Sequence, residues 1–336
     1  MPTEIDLDAA TARLAGVARR TPVLRSRLLD EALGAEIHLK AEHLQHTGAF
    51  KFRGAFNAIA ALESNIRARG IITYSSGNHA QAVARAAQIF RVPATVVMPN
   101  DAPSSKRQAT ESYGATIVTY DRFRERREDI AEAILAEQHF TLIPPFDHPD
   151  VIAGQSTCAR ELFEDSGPLD QLIVSVGGGG LIAGVGSFIR QKFPNCRIIG
   201  VEPEGAKGLT DSLEKGYPIK SVEINTIADS LSPPFHLPYS FSICQKVIDQ
   251  MVLVSDIQMQ KAMKFMGIHH KLILEPAGVA AIAALQGPLK NKLKNQTTVV
   301  ILCGANIDMD SWIKLTNINF FQINLINNIM TRFQPI

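Results

Sequence analysis

The sequence predicts an α/β protein of two lobes, each an open, twisted, mostly parallel sheet flanked by helices. Three observations carry this. Short β-rich runs alternate with helical patterns along much of the chain, the rhythm of a doubly wound sheet. Three such units end at Pro144-Pro145, a natural break. A chain of 336 residues, 46% hydrophobic, also divides its core more readily than it enlarges it.

In order, GIITYSS precedes the helical GNHAQAVARAAQIF, ATVVMP precedes SSKRQATESYG, and ATIVTY precedes DRFRERREDIAEAILAEQ. This block, residues 69–145, is expected to be a small domain inserted into a large one made of residues 1–68 and 146–336. The mixed-sign run DRFRERRED reads as a solvated helix face. The rhythm returns with LIVSV, four glycines and LIAGVGSFIRQKF, then RIIGVEP, and closes with TTVVILCG. The Asn-rich tail SWIKLTNINFFQINLINNIMTRFQPI suits a helix on the large domain, an oligomer contact or a partly disordered segment.

A net charge of +1, from 34 basic and 33 acidic residues, argues against nucleic acid or an anionic membrane as partner and leaves small molecules. Cys158, Cys196, Cys244 and Cys303 form no CxxC pair, which disfavours zinc or a disulfide framework and fits a reducing cytoplasm. The N-terminus has no apolar signal core. The longest uncharged run, Leu172–Ile189, centres on four glycines that each cost a helix about 1 kcal/mol relative to alanine. It therefore reads as strand, loop and helix start, not a membrane span.

The glycines Gly177, Gly178, Gly179 and Gly180 join a strand to a helix, where backbone N–H groups face a bound anion such as phosphate. Gly178, Gly180 and Ala183 also satisfy G-x-G-x-x-A, with Glu202 at the end of the next strand, so an NAD-dependent oxidoreductase is the rival from another class. That reading leaves HTGAFKFRGA and SSGNHAQ without a role. In HTGAFKFRGA, Phe52, Phe56 and Ile59 recur at helical spacing and set Lys51 near a helix start, at the edge of an apolar wall. Burial there lowers an amine's pKa and makes it a nucleophile for an aldehyde. A surface lysine snorkelling past Phe50 is the alternative. SSGNHAQ joins another strand to a helix near a possible anion, and ILCGAN puts Cys303 at the C-terminal end of a buried strand.

Taken in order, these four motifs resemble the fold-type II pyridoxal-phosphate enzymes, of tryptophan synthase β-like architecture, and within them the serine/threonine dehydratase and serine racemase group. The resemblance runs from RRTPVLRSRLL to CGAN. It implies that Lys51 is the Schiff-base lysine, that Phe50 packs beside the cofactor, and that Asn78 binds its 3′-oxygen. Gly177 to Gly180 and the Leu181 amide would cradle the phosphate, and Cys303 would face the pyridine nitrogen. Ser75, Ser76, Gly77 and His79 would hold the substrate carboxylate, with Ser76 also a base, as the equivalent serine is in serine racemases.

The implied reaction is β-elimination of L-threonine or L-serine to 2-oxobutyrate or pyruvate and ammonia. The alternatives are serine racemisation and 3-hydroxyaspartate dehydration, the last needing a further cation for which His46, Arg53 and His236 are the candidates. Relatives with a Mg²⁺ or Ca²⁺ site carry a carboxylate after GVEP and another six residues on. Here Glu202 fits the first and Gly208 breaks the second, so a divalent cation is doubtful. A homodimer or homotetramer is expected.

Overall fold

The computed structural model describes residues 1–317. The remainder of the tail, with its suggested helical or oligomer role, lies outside the described residues. Ten strands are β1 Val23–Arg25, β2 Glu36–Lys40, β3 Ile71–Tyr74, β4 Ala94–Pro99, β5 Thr116–Tyr120, β6 Thr141–Leu142, β7 Gln171–Ser175, β8 Arg197–Pro203, β9 Gln250–Val254 and β10 Thr297–Ile301. They form two sheets, ordered β1-β2-β10-β7-β8-β9 and β5-β4-β3-β6. Every pairing is parallel except β1 with β2. The interior strands β4, β7 and β8 are almost wholly buried. Helices on both faces account for their continuous apolar runs.

The strand order decides where a ligand can sit. In the six-stranded sheet the order reverses between β7 and β10, and in the four-stranded sheet between β3 and β6. Loops diverge at such switch points and leave a crevice at the carboxyl ends of the strands. The loops after β3, β7 and β10 all reach one crevice lying between the two sheets.

One helix fixes the parts around that crevice. Pro149–Ser166 packs against both Lys51–Ala61 and Gly180–Lys192. The contacts are backbone to backbone: a Cβ on Gly154 would stand 2.6 Å from the Arg53 carbonyl oxygen, and one on Gly184 would stand 2.3 Å from that of Ile152. Small residues are what allow the lysine helix and the glycine-loop helix to share one support.

The charged run after β5 departs from the expected helix. Asp121–Arg126 is a turn, and the helix begins only at Arg127. Asp121 explains the delay, since its carboxylate accepts from the Phe123 amide while its own amide donates to Glu125 Oε2. An aspartate that offers the backbone such partners competes with helix at its own position.

A buried ion cluster lies two residues from Lys51. Arg53, fully buried, donates to both oxygens of Glu42 at 2.8 Å and to Glu161 at 2.7 and 2.8 Å. Lys40 Nζ donates to Glu161 at 2.8 Å and to the Thr21 carbonyl at 2.7 Å. Two cations and two carboxylates thus balance where β2, the lysine helix and its supporting helix meet.

Candidate active site

Lys51 is held by pairing between two distant motifs. The Phe50 amide donates to the Cys303 carbonyl at 3.1 Å, the Ala305 amide to Gly48 at 2.9 Å, and Ala49 bridges Gly304. Asn306 Nδ2 adds bonds to the Thr47 carbonyl at 2.7 Å and to Asn78 Oδ1 at 2.9 Å, so one side chain ties HTG, SSGN and CGAN together. Lys51 then opens its helix with Nζ donating to the Pro145 carbonyl at 2.7 Å and standing 5.2 Å from the centre of the Phe50 ring. Desolvation pushes its ammonium down to about 8. No carboxylate among the described residues pairs with it, which sets it apart from a structural lysine such as Lys40.

The glycine loop faces it. Gly179 has φ of 86°, a left-handed conformation that suits glycine, and caps the helix that starts at Gly180. Gly177, Gly178 and Gly180 line the same crevice with Leu181. A Cβ on Gly178 would enter the Phe146 ring, with 2.3 Å to its Cγ. The cradle therefore exists only as bare backbone, with N–H groups at a helix N-terminus, the arrangement that binds phosphate.

At the other end, Cys303 Sγ lies 3.3 Å from the Ala277 carbonyl. Burial, with the Glu275 carboxylate, pushes the thiol up to about 12, so it stays neutral. Ser175 lines the wall beside it with a buried hydroxyl. Asn78 lies between, its amide nitrogen bonded to Glu275 and Ser230.

Ser75, Ser76 and Gly77 line the crevice as expected. The Gly77 amide donates to Ser75 Oγ at 3.2 Å, and Ser76 Oγ donates to Asp229 Oδ2 at 2.8 Å. His79 lines the crevice too, with its imidazole Nε2 meeting the Ile143 carbonyl at 3.0 Å, and burial, with Lys51 nearby, drives it down to about 3. It is neutral and offers a carboxylate no charge, so what His79 presents there is its helix-start backbone.

The residues suggested for a second carboxylate are elsewhere. Arg53 is consumed by the ion cluster, His46 bonds the Val17 carbonyl at 3.0 Å, and His236 is buried; none of the three lines the crevice. Among the described residues, the cation that lines it besides Lys51 is Arg127, from the run read as a solvated face. Its guanidinium lies 4.7 Å from the Tyr74 ring centre, Nε donates to Glu128 at 2.8 Å, and its two Nη groups make no hydrogen bond among the described residues. Stacking on an aromatic leaves a guanidinium's edge open to a carboxylate.

Glu202 corrects two expectations. Its carboxylate is fully buried and accepts from the Leu209 amide, the Thr210 amide and the Thr210 hydroxyl, all at 2.7–2.8 Å. It caps the helix Gly208–Lys215 and does not line the crevice, so it is not a ribose ligand beside the glycine loop. With both oxygens engaged and glycine at 208, these residues do not fit a divalent cation either. Burial raises this carboxyl to about 7.

Comparison with known proteins decides the class. Residues 14–304 match the family described as pyridoxal-phosphate dependent enzyme. The chain belongs to that family. It is 44% identical to an L-threo-3-hydroxyaspartate ammonia-lyase of a Pseudomonas species over 92% of this chain and 97% of the relative. It is 42% identical to serine racemase of Schizosaccharomyces pombe, over 93% and 96% of the two chains. The crystal structure of serine racemase from Dictyostelium discoideum superposes with a TM-score of 0.85 at 37% identity, covering 91% of this chain and 98% of that one. An α/β fold-type II architecture, pyridoxal phosphate as cofactor and an amino-acid substrate follow, and the NAD reading falls. The residues fit the group: an unpaired amine, a bare-backbone anion cradle and a neutral thiol converge on one crevice.

The lysine gives a pH signature. An amine attacks an aldehyde only when deprotonated, and the neutral fraction of Lys51 grows as pH rises through about 8. Cofactor uptake by the apoprotein should therefore quicken through that pH and level off about one unit above it. Stopped-flow absorbance across pH 6–10 checks this. Uptake still accelerating near the ordinary lysine value of about 10.4 would contradict it.

Proposed function

We propose that the protein is a pyridoxal-phosphate-dependent ammonia-lyase that eliminates the β-hydroxyl of a small hydroxy amino acid, L-serine or L-threonine, and releases a 2-oxo acid and ammonia. The observation that carries this is the convergence on Lys51: a desolvated amine without a carboxylate partner, facing a glycine cradle across a crevice. When bound, pyridoxal phosphate supplies an aldehyde for the substrate amine and an electron-withdrawing ring that acidifies the α-carbon. Lys51 would hold the cofactor and, once its amine is free, take the α-proton. The Gly177–Leu181 amides would hold the phosphate, Asn78 the 3′-oxygen, and Phe50 would pack beside the ring. Cys303 would face the ring nitrogen as a neutral thiol, which would stabilise less charge than a carboxylate there and favour loss of the β-group. Ser75, Ser76 and the backbone of Gly77 and His79 receive the substrate carboxylate, and Ser76 is the candidate base for inverting the α-carbon.

Arg127 favours a second reading, 3-hydroxyaspartate as substrate, because its free Nη groups suit a β-carboxylate. The relatives so named support it. A panel of L-serine, D-serine, L-threonine and 3-hydroxyaspartate isomers, scored for oxo acid and enantiomer, tests the proposal; ammonia from none of them would end it. Arg127→Ala should raise KM for 3-hydroxyaspartate by about 10–100-fold, the worth of a charge-assisted pair, and leave that for L-serine within about threefold. Equal effects on both would remove Arg127 from substrate selection.

The proposal includes a small domain of residues 69–145 against a large one of 1–68 and 146–336, supported by every strand of the four-stranded sheet falling within Ile71–Leu142. It includes a homodimer or homotetramer, supported by the family resemblance and checked by sedimentation. A cytoplasmic location is supported by four free, buried cysteines. Among the described residues no helix is long and apolar enough to cross a membrane.

A further inference from the structure

Asp229 belongs to a single turn, Asp229–Leu231, on the six-stranded-sheet side of the crevice. Its carboxylate nonetheless meets three groups from the opposite side. Ser76 Oγ donates to Oδ2 at 2.8 Å, Lys106 Nζ lies 3.9 Å from that same oxygen, and Arg122 Nη1 lies 3.7 Å from Oδ1. Lys106 is buried and lies flat on Gly77, where a Cβ would come within 2.4 Å of its Cδ. Its second anionic neighbour is Glu275 Oε2 at 3.6 Å, which also accepts from Ser230. Lys106 and Arg122, the latter bonded more closely to Asp101 at 2.8 Å, thus flank the Asp229 carboxylate, whose one side-chain hydrogen bond among the described residues is from Ser76 Oγ to Oδ2.

A serine hydroxyl that takes a proton from carbon must give up its own. Lys51 is bonded to Pro145 and His79 to Ile143, whereas Asp229 is the one side chain hydrogen-bonded to the Ser76 hydroxyl among the described residues. Asp229 also lines a second cavity, together with Ser76, Arg122 and Arg126.

We propose that Asp229 is the positioning and proton-accepting partner of Ser76, and so sets how much enantiomer interconversion accompanies elimination. As the Cα–H bond breaks, its proton joins Ser76 Oγ, the electron pair stays on carbon, and the original Oγ–H proton passes to Asp229 Oδ2. The reverse sequence delivers a proton to the same face of the α-carbon. This rests on the reading of Ser76 as a base.

The test uses the holoenzyme and its Asp229→Asn, Asp229→Glu, Ser76→Ala and Ser76→Ala/Asp229→Asn variants with L-serine. The readouts are D-serine formed per ammonia released, and backbone hydrogen exchange of residues 75–79. Asparagine's amide oxygen still accepts from Ser76 but cannot take its proton. Asp229→Asn should therefore leave exchange in that segment as in wild type and lower the D-serine to ammonia ratio at least about tenfold. Glutamate should restore part of the ratio, and the double variant should fall no further than Ser76→Ala alone. An unchanged ratio in Asp229→Asn, or additive losses in the double variant, would overturn the role of Asp229 while leaving Ser76 in place. A wild type that forms no D-serine, or a Ser76→Ala variant that forms as much as wild type, would overturn both, and the elimination reading would stand on its own.

Discussion

Replacing Lys51 with alanine should cut ammonia release by at least about a thousandfold, because the residue is proposed as both anchor and base and no other amine among the described residues lines the crevice. The fold should survive. Lys51 is the first residue of its helix, and among the described residues its one side-chain hydrogen bond is to the Pro145 carbonyl, so alanine removes a single bond there. The measurement is single-turnover ammonia release beside a thermal melt of the apoprotein. Activity within tenfold of wild type, at an unchanged melting temperature, would take Lys51 out of the chemistry.

The second large effect is on stability. Arg53→Met should destabilise the protein by about 3–5 kcal/mol, because it leaves Glu42 buried without its bidentate partner and Glu161 with Lys40 alone. Urea unfolding should show a lower midpoint with an unchanged slope. A loss under about 1 kcal/mol would mean that the cluster relaxes or admits water, contrary to its depth in the fold.

These two residues show what was legible in the sequence and what was not. The position of Lys51 at a helix start was legible locally, from phenylalanines at helical spacing, while its proposed role came only with the family resemblance, since the spacing alone left a snorkelling lysine open. The glycine loop and the Ser75–Gly77 turn were legible for the same reason, each lying where a strand hands over to a helix. Strand β4 matches the run ATVVMP residue for residue, since a buried, mostly apolar strand bounded by turn residues leaves little choice.

Arg53 is close in sequence to Lys51 and was offered as a substrate contact, but its partners Glu42 and Glu161 lie 11 and 108 residues away. Nothing local announces such partners. Arg127 failed in the opposite direction. A mixed-charge run ordinarily faces water, and only the late helix start after Asp121 turns this arginine inward onto Tyr74. Asp229 and Asn306 have no motif of their own. Their roles come from a crevice that two sheets make together, which periodicity within either sheet cannot encode.

The central claim is that one particular lysine carries the cofactor. Borohydride reduction of the holoenzyme, followed by peptide mapping by mass spectrometry, tests it most directly. The account predicts a single reduced pyridoxyl-phosphate adduct on Lys51, in the segment HTGAFKFRGA. An adduct on Lys106, a buried lysine beside the crevice, or no adduct on a protein that still releases ammonia, would contradict it.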